Sequence, residues 1–484
     1  MHDSILSAVE ASGRNRWVAA SLLLGAAAAA VAVLSTPPGP AIALGVLAFI
    51  AFAWWTWGGY DRWFVAFAVA TCLAPPLPIA LGTTGPHIAL FAALLGLWIG
   101  LGRLSTWRIR NEAMPVALVA FWLLMALSLA PAVLDSGTHV AAIGLARLGL
   151  LGISVFAFFY FAYCPPDREP QPLPARTRFL FGLAVGAAGF ACLDFYFQWP
   201  PLSGFGAQYV WLTGAVYRRA QGFFYDAGTL GNFCAFFLLF VVIALVHSDR
   251  RHLPSRAWLV GGGLILAAAL LFSFSRSSLL NLVVALCVLL LMERRRVRVA
   301  RWFIIAFAGV AGGLAIAWTL APALAEAYLL RLWFTVIELA GDPDLWLSGR
   351  VENWSLLLQF LADHPSKLVF GIGYATLPHT ELLGRPVIGD NMYLTLLVET
   401  GLIGLTALIA LQVALLATAY RVSRSIDREA AFVGTWIFCF WIGQLVQMLS
   451  VDVITFWRVL PLYLGLLGMA VHRANLAAGQ RHSR

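Results

Sequence analysis

Residues 390–424 read "DNMYLTLLVETGLIGLTALIALQVALLATAYRVSR". From Met392 to Ala419 this stretch is apolar for longer than the roughly 20 residues needed to cross a bilayer core. It opens on an acid and an amide, Asp390 and Asn391, carries a second acid, Glu399, inside, and closes on Arg421 and Arg424. It reads as a membrane span with polar chemistry at one mouth and positive charge at the other.

The rest of the 484-residue chain follows suit, with 61% apolar and 11% charged residues. Soluble domains carry about 25% charged residues. Scanning by span length gives 14 candidates, near 17–35, 41–57, 62–82, 87–102, 114–133, 139–163, 178–197, 224–247, 257–274, 277–292, 302–320, 392–419, 429–450 and 455–472. The expected fold is an all-α polytopic membrane protein with 12 to 14 spans. The first apolar run has no small-residue cleavage site at its end, so it reads as a retained span. The six cysteines lie in or beside apolar runs without Cys-x-x-Cys spacing, as buried small residues would.

Charge sets the topology. Of the 32 basic residues, 23 fall in one alternating set of connections, among them "RLSTWRIRNE", "ERRRVRVAR" and "YRVSRSIDRE". The positive-inside rule puts these connections and both termini in the cytoplasm. The net charge of +9 therefore has membrane lipids as its partner, and nucleic acid is excluded as one. The expected organisation is N-terminal spans over 1–197, central spans with arginine-bearing outer junctions over 198–320, and an outer loop with amphipathic helices over 321–390. C-terminal spans over 391–473 and a cytoplasmic tail over 474–484 complete it.

Two outer connections are unusual: Pro200–Gly222, and the much longer 321–390, in which "PALAEAYLLRLWFTVIELA" and "ENWSLLLQFLAD" show helical periodicity. Charges near membrane depth are candidates for function. Arg276, in "FSFSRSSLLN", is either an interfacial arginine or an anion clamp with Ser273, Ser275, Ser277 and Ser278 beside it, since guanidinium matches phosphate as a planar fork. Arg218 and Arg219 form the adjacent basic pair of the first outer loop, with Arg219 preferred as ligand-binding and Asp226 placed to orient an arginine or a sugar hydroxyl. Arg350 either pairs with Glu352 or Asp344 or binds substrate. His364 and Lys367 suit a helix C-terminus, with His364 and His379 also open to a functional role. Asp390 and Asn391 suit helix caps, and with Tyr393 and Glu399 they form a candidate substrate cluster. Arg147 with Asp194, and Arg458 with Asp452, read as structural ion pairs. No Gly-rich phosphate loop, metal spacing or nucleophile elbow occurs, so no cofactor or metal is expected.

In order along the chain, "RAQGFFYDAGTLGNF", "SFSRSS", "GRVENWSLLLQFLADHPSKLVFGIGYAT" and "DNMYLTLLVETGLIGL" resemble the O-antigen ligase and bacterial polysaccharide polymerase superfamily over roughly residues 215–415. The resemblance implies a GT-C-like membrane glycosyltransferase, with no metal or nucleotide sugar. Such an enzyme takes a glycan from undecaprenyl diphosphate on the periplasmic face of the inner membrane and passes it to a growing polysaccharide or to lipid A–core sugar. It assigns diphosphate binding to Arg219 and Arg276. Ligases of the family carry His where this chain has Asp390, which leaves Asp390 as general base and polymerase or ligase both open. A transporter or channel for an anionic or lipid-linked substrate is the competing reading.

Overall fold

The structure, a computed structural model, describes residues 50–59, 61–75, 87–164, 173–200, 206–212, 215–224, 226–246, 253–292 and 350–482, with Leu47, Glu326 and Leu330 as isolated positions. The spans expected at 17–35 and 302–320, about half of the one at 41–57, and almost all of the first loop helix lie outside the described residues. Two compact units divide the chain, Met1–Ala66 and Phe67–Arg484. In the first, a helix covers residues 50–57.

The described helices are α1 (Arg62–Leu73), α2 (Ala89–Gly102), α3 (Ala113–Leu127), α4 (Leu129–Tyr163), α5 (Leu173–Phe197), α6 (Ala227–Val246), α7 (Arg256–Phe272), α8 (Arg276–Met292), α9 (Arg350–Asp363), α10 (Pro365–Phe370), α11 (Met392–Ser423), α12 (Arg428–Gln447) and α13 (Leu460–His482). Among them α4, α5, α6, α11 and α12 are long and apolar enough to cross a membrane, and α1, α2, α3, α7 and α8 are shorter apolar helices. The all-α polytopic class read from the sequence is the class observed. Its outer surface is greasy: Leu94, Leu127, Leu264, Leu291 and Val413 are each at least 60% exposed, as side chains solvated by lipid tails would be.

With no hydrophobic drive between helices inside lipid, close backbone approach at small residues holds a bundle together. Helix α13 packs along α4 at Gly468, where an added Cβ would lie 2.6 Å from the Phe158 carbonyl oxygen. Helix α12 packs on α8 at Gly443, where it would lie 2.3 Å from the Asn281 carbonyl oxygen.

Two departures from regular helix shape one end of the bundle. Between α5 and α6, β1 (Tyr209–Leu212) and β2 (Ala215–Arg218) form an antiparallel pair, Tyr209 opposite Arg218; the sequence reading contains no strand here. Helix α11 breaks at Gly401 (φ 68°). The segment after α10 docks at the break, with Ile372 N–H donating to the Val398 carbonyl (3.1 Å) and Gly373 N–H to the Glu399 carbonyl (2.7 Å). Side chains would collide there, since a Cβ on Gly401 would sit 2.0 Å from the Val369 carbonyl oxygen. Helix α9 confirms the second expected loop helix. It buries Leu357, Phe360 and Leu361 with Ile372, Leu377, Val387 and Val398, so this part of the loop has its own core, seated on α11.

The Gly443 crossing is checked by substitution. Gly443→Val forces α12 off α8 and should lower stability by about 1–3 kcal/mol, the usual cost of overpacking. Gly149→Ala, with open space around it, should leave the melting temperature of the detergent-purified protein unchanged or slightly raised.

Candidate functional site

The strand pair, the α9–α10 segment and the mouths of several helices meet at one end of the bundle. After β2 the chain continues its pairing: Arg219 N–H donates to the Gln208 carbonyl (2.8 Å) and Ala220 N–H to the Phe272 carbonyl (2.9 Å). The second bond ties the strand pair to the end of α7. Arg219 Nε then donates to the Ser273 carbonyl at 2.8 Å. This brings Arg219 to the turn that starts α8, where Arg276 is the first helical residue. Phe274, inside that turn, holds φ 50°, a conformation non-glycine residues rarely adopt.

Asp390 sits at the opening of α11 and also has positive φ, 44°. Arg350, at the start of α9, pairs with it, Nε to Oδ2 at 3.3 Å. The expected partner Glu352 is occupied by Arg385 at 2.9 Å. Trp354 Nε1 donates to the Gly389 carbonyl (2.7 Å), and Met392 N–H to the Met448 carbonyl (2.8 Å). The Asp390 side chain is 43% exposed and that of Arg350 27%, so both face an accessible space.

Electrostatics join these pieces into one group. Burial pushes the Arg219 guanidinium below the usual arginine range; Asp226 pulls it up, and Arg276 and Arg350 push it down. Burial raises the Asp390 carboxyl above the ordinary carboxylate range, Arg350 opposes this, and Asp226 adds to it. Burial lifts Asp452 to about 6, against the Thr395 hydroxyl that donates to it at 3.3 Å, with Asp390 raising and Arg350 lowering. Arg219, Arg276, Arg350, Asp226 and Asp390 are therefore linked through one another's charges. The N-termini of α6, α8 and α11 open beside these residues, and helix N-termini favour anions. Three guanidinium groups and three helix mouths suit a phosphate-bearing substrate; one partly exposed carboxylate suits proton transfer. Among the described residues no group of three or more His, Cys, Asp or Glu is placed to hold a metal ion.

Other expected site residues have structural partners. Arg218 is 7% exposed, pairs with Asp194 at 2.6 Å and donates to the Trp199 carbonyl at 2.7 Å. Asp194 thus belongs to Arg218, and Arg147, its expected partner, is exposed. Asp226 caps α6, accepting from Thr229 N–H (2.7 Å) and from Gln208 Nε2 (2.9 Å). Asn391 caps α11, accepting from the Tyr393 and Leu394 N–H groups, while the Tyr393 hydroxyl donates to the Leu445 carbonyl. Glu399 is 3% exposed and accepts from Ala375 N–H (2.7 Å) and Leu377 N–H (3.1 Å). That makes it a clamp on the docked loop. His364 is exposed, with its ring stacked on Phe360 at 4.7 Å. Lys367 pairs with Asp135. Ser273, Ser275 and Ser278 are buried, with hydroxyls turned inward to the Leu270 carbonyl or to one another; of the four serines only Ser277 is half-exposed. Arg458, expected to pair with Asp452, instead donates to the Phe223 and Thr71 carbonyls.

Beneath the group lies a buried amide network that the sequence reading passed over. Asn232 and Asn281 each donate to both Gln444 and Gln447, at 2.7–3.0 Å. Gln447 donates to Ser278 (3.1 Å) and Tyr463 to Asn232 (3.0 Å). The four amide residues are 0% exposed. They tie α6, α8, α12 and α13 together just below Arg276. Uncharged amides escape a search for charges, but Gln444 and Gln447, three apart in an apolar run, were a readable signal.

Adjacent arginines with unlike environments give a direct check. Arg218→Ala strands a buried carboxylate and should cost about 3–5 kcal/mol of stability. Arg219→Ala removes a cation flanked by other cations, and thermal unfolding should find it near wild type.

Residues 261–409 match the family model described as O-antigen ligase. The matched segment contains Arg276, Arg350 and Asp390; Arg219 lies ahead of it. No curated protein matches the chain. With its five described membrane-length helices, the chain is an all-α multi-pass membrane protein that carries a segment similar to the O-antigen ligase family.

Proposed function

We propose that this protein is a membrane glycosyltransferase. It transfers a glycan from undecaprenyl diphosphate to an acceptor sugar, either on a growing polysaccharide or on lipid A–core. The site faces the periplasm, and the protein sits in a bacterial inner membrane with both termini in the cytoplasm. The observation that carries this reading is the electrostatic linkage of Arg219, Arg276 and Arg350, with Arg350 paired to the partly exposed carboxylate of Asp390. The pattern of charge in the sequence supports the orientation: 23 of the 32 basic residues fall in one alternating set of connections, as expected of a cytoplasmic side.

In this mechanism Arg219 and Arg276 hold the diphosphate through charge-assisted hydrogen bonds. They also stabilise the negative charge that develops as it leaves. Asp390, with its raised affinity for a proton, accepts the proton of the acceptor hydroxyl as that oxygen attacks the anomeric carbon. The carbon–oxygen bond to the diphosphate breaks on the opposite face, so the anomeric configuration inverts. Arg350 orients Asp390 and favours its charged form against the effect of burial. The docked loop, with its own core, restricts which glycan enters.

The test is transfer by the detergent-purified protein given an undecaprenyl diphosphate-linked repeat unit and no other acceptor. A ladder of longer chains on a gel identifies a polymerase. Transfer that requires added lipid A–core identifies a ligase. No transfer under either condition by folded protein contradicts the proposal. Arg276→Ala and Arg219→Ala should each slow transfer by about 10²–10³-fold, as loss of one transition-state donor does. Arg350 lowers the Asp390 pKa, so Arg350→Ala should move the acid limb of the pH–rate profile to higher pH.

A further inference from the structure

At the other end of the bundle, the C-terminal ends of α4 and α13 and the connection between α2 and α3 line a cavity of about 140 Å³. The polar part of its lining is Arg108, Arg110, Tyr163, His472 and Asn475. Arg108 N–H donates to the Tyr163 carbonyl at 3.0 Å, pinning the arginine-bearing segment across the end of α4. Beyond the kink at Gly137, α4 rises roughly 40 Å to reach Tyr163, at 1.5 Å a residue. The cavity and the Arg219–Asp390 group are therefore at opposite ends of the bundle, about a bilayer's thickness apart.

Two features separate this cavity from ordinary interfacial arginines. The first is the Tyr163 side chain, which is 4% exposed and whose hydroxyl has no hydrogen-bond partner among the described residues. Buried hydroxyls nearly always have one, and leaving one unpaired is costly. The second is the sign of the charge. Arg108 and Arg110 line the cavity, no carboxylate does among the described residues, and Glu112, an acid whose charge acts on Tyr163, is held by Arg421. Two guanidinium forks, a phenol donor and an amide facing one concavity are the donor set of a phosphate site. Basic pockets of this kind, between spans on the arginine-rich face, take phosphorylated headgroups.

We infer that this cavity is a second anion site, distinct from the Arg219–Asp390 group, that takes a phosphate-bearing ligand through Arg108, Arg110 and the Tyr163 hydroxyl. Its ligand is either the phosphodiester headgroup of an anionic lipid or a soluble phosphate, and one experiment separates them. The melting temperature of the purified full-length protein is followed in mixed micelles of phosphatidylglycerol, in mixed micelles of phosphatidylcholine, and with inorganic phosphate. The proteins are wild type, Arg108→Ala/Arg110→Ala, Tyr163→Phe, and Arg424→Ala as a control from the same end outside the cavity. A rise of several degrees with phosphatidylglycerol but not with phosphatidylcholine assigns a lipid headgroup; an equal rise with inorganic phosphate assigns a soluble ligand. In either case the rise should fall by at least half in the first two variants and persist in Arg424→Ala. No rise with any anion, or the same rise in all four proteins, overturns the inference. Tyr163→Phe keeps the ring and its packing, so the test survives if the double arginine variant folds poorly.

Discussion

Inside hydrocarbon, a main-chain carbonyl freed from its helix has to find another donor, and that requirement organises this protein's site. The break in α11 at Gly401 leaves the carbonyls of Val398 and Glu399 to the N–H groups of Ile372 and Gly373. The Glu399 carboxylate then takes up Ala375 and Leu377. One irregular turn thus fastens the segment that follows α9 and α10 to the helix that opens at Asp390. Tyr374 N–H donating to the Ser128 hydroxyl (3.1 Å) and Ser136 meeting Thr380 (2.8 Å) anchor the same segment to the start of α4. Arg350 reaches Asp390 because this docking leaves the loop little freedom.

The second half of the site is built on the same logic. Adding two ladder bonds past β2 carries Arg219 onto the end of α7, and the buried amides of α6, α8 and α12 hold the following turn in place. Bringing several guanidinium groups together costs energy through mutual repulsion. Asp226 and Asp390 offset part of it, and an anionic substrate would offset the rest. The unusual backbone at Phe274 and Asp390, each beside or within the group, fits sites where surrounding structure holds strain for function.

Much of this was legible before any coordinates. Spans such as 178–197, 257–274 and 392–419 were visible because bilayer thickness sets a length that composition reports directly. Arg219 and Arg276 stood out because charges are scarce in an apolar chain. What stayed hidden depends on distance in sequence or on identity of neighbours. Arg218 and Arg219 are adjacent, and only the fold decides which one meets Asp194. Arg350 and Asp390 are separated by the whole docked segment. The stretch "YVWL" followed by "AVYR" carries aromatic and β-branched strand signals, overridden by the expectation of a plain loop. Glu399 drew attention as a buried acid, and its two backbone donors show why an acid is needed there structurally.

Central to the account is a division of labour: arginines for the diphosphate, Asp390 for the proton. Binding of undecaprenyl diphosphate to purified Asp390→Asn, Arg219→Ala and Arg276→Ala, with single-turnover transfer measured on the same samples, separates the two roles most directly. Asp390→Asn should bind the lipid as wild type does while transferring about 10²–10⁴-fold more slowly, and the arginine variants should lose binding. Normal transfer by Asp390→Asn, or undiminished binding by both arginine variants, would contradict it.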